Sequence, residues 1–476
     1  MVRGFRSYKV PSTVIESLIF RDMFGTPQMR AVFSDEALTA RYLEVEAALA
    51  RAEASVGVIP KEAADTITRA AAKMRVDFDR LKRDTEIVGY PILPIVHQLA
   101  EASGAAGGWV HWGATTQDIM DTATVLQVRM ALDIMAADLE ALRSILRGIA
   151  RRYRNTPMAG RTHLQQALPI TFGYKAAVWL SMIERHADRL TELRARVLTG
   201  QFAGAAGTLA SLGLSGFAVQ DALCRELNLC TPIATWHVAR DNFAEVVSFL
   251  GLLTGSLGKI ATDVMLMSAT ELSEVAEPFF RGRGASSTMP QKRNPISSEL
   301  ILAAAKSVRQ QVGLMLDGVV QDFERATGPW HAEWLALPES FIVAAGALSQ
   351  ARFMLGGLTV DEDRMRSNLA LSGGLIVAEA AMMAAAPKLG RQKAHELIYS
   401  ACRTAAADRR PLAEVLSGYP EIFDALGGEE AIRHYCDPAN YLGLAPEMVD
   451  RVLGARPENA QRVSEERETT AAGVGR

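Results

Sequence analysis

The chain has 476 residues, with 51 lysines and arginines against 54 acidic residues, a formal net charge of -3. That balance gives no electrostatic reason to expect nucleic acid or an anionic membrane as partner. The eight histidines lack a metal-ligand spacing such as HExxH, and the four cysteines (Cys224, Cys230, Cys402, Cys436) include no CxxC pair; buried free thiols in a reducing, cytoplasmic setting are expected, and a metal site is not.

The opening MVRGFRSYKVPSTVIESLIF is basic but has no sustained apolar run and no small-residue cleavage site. No segment is expected to reach the unbroken apolar length that spans a bilayer. Residues 1–110 read as a separate helical region ending in GAAGG, before His111-Trp112. HWGATTQD, from His111 to Asp118, then sets threonine hydroxyls at the start of the longest helix, where unpaired N–H groups and the positive dipole end attract an anion. On local grounds N-capping by Thr115 or Thr116 is the simpler reading, and one threonine is enough for it. Thr115 and Asp118 also form a T-x-x-D pattern similar to a capping box.

In the helix that follows, predicted from Gln117 to Arg154, Val128, Leu132, Met135, Leu139, Leu142, Leu146 and Ile149 alternate steps of four and three, the seam of a bundle. At about 1.5 Å per residue it is ~55 Å long, more than a compact single-core globule accommodates. GRTHLQQALP, from Gly160 to Pro169, reads as a loop between helices that gathers Arg161, Thr162, His163, Gln165 and Gln166. A histidine in such a place is more often structural than catalytic; the polar density weighs equally for a site.

Further helices are predicted from Pro169 to about Val197, Asn242 to Val275, Pro295 to Val320, and Glu339 to Leu358, with strand signals sparse throughout. From Val360 to Arg476 the helices shorten, and the tail SEERETTAAGVGR reads as frayed. The expected architecture is all-α in three segments: 1–113, a central long-helix bundle over 114–359, and 360–476. Long helices bury their flanks best against copies of themselves, so an oligomer is expected, with polar end loops converging where the chemistry sits.

One such loop is RGRGASSTMPQKRNP, Arg281 to Pro295. Gly282 and Gly284 give it backbone freedom while Pro290 and Pro295 restrict its far side, the make-up of a segment that closes over a ligand. Lys292 and Arg293 make it an anion clamp. Met289, among hydroxyls, marks a segment that is covered at some stage.

ASSTMPQKRNP resembles the GSSxMPxKxNP signature of the fumarase/aspartase superfamily, with Ala285 in place of the first glycine and Gln291 at a variable site. HWGATTQD, GRTHLQQ and the Gly204–Thr208 turn are similar to further blocks of that family, in order, over nearly the whole chain. The resemblance implies a homotetramer with a multi-helix core, active sites shared between subunits, no metal or organic cofactor, and reversible β-elimination or addition on a polycarboxylate. It assigns Ser286 as the base and Lys292 as the stabiliser of an aci-carboxylate, which Asn294 also holds. His163 becomes a general acid or carboxylate binder, oriented by Glu299. Thr115 and Thr116 bind the second carboxylate beside Gln165, and Thr162, Ser287 and Met289 complete the binding set.

GYPILPIVHQLAE and GPWHAEWLALPE look like the 3-carboxy-cis,cis-muconate cycloisomerase branch, in which a substrate carboxylate adds to its own double bond. The neighbouring adenylosuccinate lyases carry a histidine where this chain has Gly89-Tyr90-Pro91 and a phosphate-pairing arginine near Trp334. Their absence argues against a nucleotide substrate. His163 and Glu299 together suit a poor leaving group, so a C–N lyase releasing fumarate from a substituted aspartate is the alternative, and an inert structural relative the remote one. Trp330, His331, Trp334 and the Trp236-His237-Arg240 cluster are expected to shape the pocket. Arg325 and Arg240 are either carboxylate partners or structural ion pairs.

Overall fold

The computed structural model describes residues 13–325 and 327–454, so the tail expected to fray lies outside the described residues. The described chain is predominantly helical, as expected. Five long helices dominate it: α2 (Thr116–Arg152), α3 (Phe172–Val197), α4 (Asp241–Ser268), α5 (Ile296–Asp317) and α6 (Pro329–Gly356), preceded by α1 (Asp35–Val56). Along α2 the predicted seam holds from Val128 to Leu146, each residue at most 1% exposed. At its end Ile149 is half-buried and Ala150 takes the buried place, the drift of a 3.6-residue turn against a 3.5-residue pattern.

Two expectations about these helices are corrected. The last long helix begins at Pro329, not Glu339. Proline fits a first turn, and the helix runs on through Pro338 because packing of Trp330, Leu337 and Phe341, all buried, outweighs one lost hydrogen bond. Helix α4 is, contrary to expectation, long and apolar enough by composition to cross a membrane, with a mean hydropathy of 1.4 over its best window. Since 61% of that window is buried within the protein, it serves as a core helix. The thiols also differ: all four are free, but only Cys224 is buried and Cys230 is exposed.

The chain forms two compact units. The first comprises Met1–Glu140, Arg185–Lys259 and Glu299–Ala351. In it α1, capped by the Ser34 hydroxyl and stopped by left-handed Gly57, packs on helices Lys61–Lys73 and Gly216–Glu226. The second comprises Ala141–Glu184, Ile260–Ser298 and Arg352–Arg476. Its C-terminal core gathers Ala381, Ile398, Leu412, Leu416 and Ile422 from short helices. The division into three segments along the chain stays a proposal.

The segment read as a loop at Gly160–Pro169 is instead an antiparallel hairpin, β1 (Pro157–Thr162) with β2 (Gln165–Thr171). Thr162 pairs with Gln165, leaving His163 and Leu164 as a two-residue turn, both left-handed at φ 51° and 62°. Such turns usually announce themselves as Asn-Gly; with His-Leu the local signal is missing. A second pair of strands, β3 (Val275–Ala276) and β4 (Thr359–Val360), is only two residues long, and helix α7 (Glu362–Ala370) follows it.

Candidate active site

In the first unit, Thr115 and Thr116 stand at the start of α2, and Arg325 donates to both hydroxyls, at 2.5 and 3.0 Å. Half of the expected capping box forms: the Asp118 carboxylate accepts the Thr115 N–H at 2.9 Å. The threonine oxygens, however, are engaged by the arginine. Among the described residues Arg325 makes no ion pair. A cavity of about 660 Å³ opens beside it, lined also by Tyr90, Gln117, Thr327, Trp330 and His331. A guanidinium, two hydroxyls and the N-terminus of a 37-residue helix all favour negative charge there.

Asp118, legible in the sequence only as half of a capping box, is a hub. Fully buried, it accepts the N–H groups of Ala203 and Gly204 at 3.0 and 2.9 Å and lies 2.7 Å from His237 Nε2. The Gly204 turn is thereby tied to the start of α2, with Gly204 itself left-handed at φ 77°. Arg240, for which two roles were open, proves structural: it is 1% exposed and forks between Asp121 (2.7 and 3.0 Å) and Glu333 (2.8 Å and 2.5 Å). Burial pushes the Glu333 carboxyl up, against the pull of Arg240. Asp121 also accepts the Trp330 indole N–H at 3.3 Å. Trp330 is 3% exposed and packs its ring against Tyr90, His331 and Trp334. It also lines a smaller aromatic recess of about 170 Å³, walled by Phe33, Tyr42, Phe243 and Trp334. Trp330 lines both cavities.

The signature loop belongs to the second unit. Ser286 Oγ accepts the backbone N–H groups of Thr288 and Met289, at 3.3 and 3.1 Å. Two donors converge on this oxygen, the arrangement that would lower the cost of negative charge on it. The loop closes on itself where Asn294 N–H donates to the Gly284 carbonyl at 3.0 Å and Ala285 bridges Arg293. Gly284 is obligatory: its φ is +64°, and a Cβ there would stand 2.6 Å from the Asn294 carbonyl oxygen. Below, the Glu277 carboxylate accepts the N–H groups of Ser297 and Ser298 at 3.0 and 2.8 Å, capping α5 and joining the two ends of the loop. Arg283 lies 4.3 Å over the Phe353 ring and Arg293 4.1 Å over Phe279. Arg293 is thus spent on packing, while Lys292 and Ser287 stand exposed and Asn294 half-buried. Met289 is 42% exposed, and the covering of this segment stays a proposal.

At the hairpin tip Thr162, His163 and Gln165 are all exposed. Arg161 turns inward and pairs with Glu274. Among the described residues no hydrogen bond joins the hairpin tip to the loop. Glu299 is exposed in the first turn of α5, and its partnership with His163 stays a proposal. The structure thus collects Thr115, Thr116 and Arg325 at one place, with Trp330 and His331 beside them and Trp334 behind. Ser286, Ser287, Met289, Lys292 and Asn294 lie along one loop, and Thr162, His163 and Gln165 along one turn.

Residues 23–310 match a lyase family profile, and residues 374–452 match adenylosuccinate lyase C-terminus. Over 440 residues, 92% of this chain and 89% of the relative, the sequence is 50% identical to trans-aconitate decarboxylase 1 of Mycosarcoma maydis. It is 43% identical over 443 residues to the 3-carboxy-cis,cis-muconate cycloisomerase of Acinetobacter baylyi, covering 92% of this chain and 98% of that one. The crystal structure of a fumarate lyase from Mesorhizobium sp. BNC1 superposes with a TM-score of 0.87 at 56% identity, over 91% of this chain and 99% of that chain.

Proposed function

From the premise that this chain belongs to the lyase family of the fumarase/aspartase superfamily, and so is an enzyme, we propose that it performs reversible β-addition and elimination on an unsaturated tricarboxylate. A named chemistry of this kind is that of the 43% identical 3-carboxy-cis,cis-muconate cycloisomerase. Trans-aconitate and 3-carboxy-cis,cis-muconate, the compounds in the two relatives' names, each carry three carboxylates on an unsaturated carbon skeleton, which supports that substrate class.

The observation that carries the reading is the pair of loop N–H groups on Ser286 Oγ. A serine hydroxyl does not ionise unaided near neutral pH; two amide donors and the Lys292 ammonium on the same loop lower that cost. The Ser286 oxyanion removes the proton next to a carboxylate. The electron pair spreads into that carboxylate, held by Lys292 and Asn294, and the bond to the β-substituent breaks. Run in reverse, a carboxylate of the substrate adds to the double bond and Ser286 returns the proton. His163, oriented by Glu299, protonates a leaving group that needs it, with Thr162 and Gln165 alongside. Thr115, Thr116 and Arg325 hold a second carboxylate, and Ser287, Met289 and Trp334 line the substrate.

The 50% identical relative supports a second reading, decarboxylation. There carbon dioxide leaves instead of a proton, the same electron pair passes into the neighbouring carboxylate, and the loop donates a proton to the carbon. Incubation with 3-carboxymuconate, trans-aconitate, adenylosuccinate and aspartate derivatives, following ultraviolet absorbance and carbon dioxide release, separates addition, decarboxylation and C–N cleavage. Ser286→Ala is expected to lower kcat by about 10²–10⁴-fold on the reactive compound; full turnover would remove Ser286 as base.

We also propose a cytoplasmic homotetramer with shared sites. Support comes from apolar side chains left open on the long helices: Leu252 (56% exposed) and Leu266 (47%) on α4, Leu316 (53%) on α5. A monomer with full activity in light scattering would rule the shared site out.

A further inference from the structure

Glu274 lies at a junction that neither the signature loop nor the hairpin motif includes. It is 0% exposed, between the end of α4 and β3. Arg161 reaches it from the hairpin with both terminal nitrogens, at 2.9 and 2.6 Å, and Asn368 of α7 donates to the same carboxylate at 2.9 Å. Asn368 is itself tied back to the hairpin, since its carbonyl accepts the Gln166 side-chain amide at 2.7 Å. Arg161 and Gln166 face each other in the hairpin register. One carboxylate therefore fixes both strands, two residues before His163 on one side and two after Leu164 on the other.

The turn so held has a conformational cost. His163 and Leu164 both occupy the left-handed region, which a non-glycine residue keeps only where its surroundings over-determine it. Here the over-determination comes from below the turn, through Arg161 and Gln166, because the tip itself is exposed.

The backbone of Glu274 faces the other way. Its N–H donates to the Met267 carbonyl at 2.8 Å and its carbonyl accepts the Asp361 N–H at 3.0 Å, setting the register of β3 on β4. Three residues later Glu277 ties Ser297 and Ser298 and closes the loop bearing Ser286. A continuous series of bonds runs from the hairpin through Glu274 and β3 to the base of the loop.

We propose that Glu274 is a positioning residue that holds the His163 turn and the Ser286 loop to one frame, so that loosening its carboxylate loosens both segments together. Arg161, neutralised by Glu274, is accordingly a strut of that frame, not a substrate-binding cation. The consequence for turnover rests on the roles proposed above for His163 and Ser286; the structural coupling does not.

The test is Glu274→Gln in the full-length protein, read by backbone hydrogen exchange and by steady-state kinetics. The amide keeps the shape of the carboxylate but cannot accept two hydrogen bonds from Arg161 with a full charge. Exchange in both 157–171 and 278–298 is expected to rise about tenfold or more, with distant helices unchanged. On the reactive tricarboxylate, kcat should fall by about 10–100-fold with little change in KM. If the hairpin loosens and the loop does not, or neither does, the proposal is overturned. Arg161→Lys carries the same test from the hairpin side should Glu274→Gln fail to fold: it retains charge, loses the fork, and must still raise exchange in the loop. Were Ser286→Ala fully active, the proposed base would fall while the paired exchange response still decided the role of Glu274.

Discussion

Arg325 donates to Thr115 Oγ1 at 2.5 Å, holding the hydroxyl that a capping role would have turned to its own helix. The guanidinium has Thr116 as its second partner and no carboxylate among the described residues, which supports the proposal that it receives a substrate carboxylate at the α2 N-terminus. Arg325→Ala should raise KM for a tricarboxylate by roughly 10–100-fold, the worth of one or two hydrogen bonds to a charged group. Thr116→Ala should raise it less. Steady-state kinetics on both variants checks the order; an unchanged KM in Arg325→Ala would remove this subsite.

Gly284 gives a test of the loop that leaves its chemical groups intact. Alanine there meets the Asn294 carbonyl 2.6 Å away and must hold φ +64°, a local cost of about 1–3 kcal/mol. Gly284→Ala should lose most of its kcat while its melting temperature moves little, since the strain falls in a largely exposed loop outside the helical core. Activity and thermal melting measured together decide it.

Trp330 lines both the cavity beside Arg325 and the smaller aromatic recess. Trp330→Ala should join the two spaces. The variant should bind benzylsuccinate more tightly than succinate, whereas the parent should show no such preference. Calorimetric titration of both ligands into both proteins measures the reversal.

The Arg240 fork is a buried charge network, and removal of its cation leaves two buried carboxylates without a neutralising charge. Arg240→Leu should cost about 3–5 kcal/mol, measured by denaturant unfolding. Replacing Asp121 and Glu333 as well with apolar residues of similar volume should recover most of that loss.

His186 and Glu53 make stability depend on pH in opposite senses. Burial first, then Arg189 and Arg185, push the His186 imidazole down to about 4, and its Nε2 lies 2.8 Å from Ser256. In the unfolded chain the ring takes up its proton near pH 6.5, so its stabilising contribution is complete above that pH and is lost as the pH falls toward 4. Burial first, then Glu46, push the Glu53 carboxyl up to about 9. Its unfolded counterpart ionises much lower, so stability declines as pH rises between those values. Melting curves should show His186→Asn flattening the acid limb, and Glu53→Gln raising the melting temperature at pH 8 but not at pH 5.

What the sequence settled by itself was whatever depends on neighbours along the chain. The α2 seam from Val128 to Leu146 was legible because burial on a helix repeats with its turn, and the Ser286 loop because its glycines, prolines and polar groups are contiguous. The hairpin was not legible: His163-Leu164 is a turn in which neither residue prefers the left-handed conformation, and it is held by Glu274, more than a hundred residues away. Tertiary structure alone decided which charges are engaged. Asp121, Glu274 and Glu333 resemble any surface charge when read in line; their burial gives each a partner from a distant element, because an ion taken out of water must be matched where it lies.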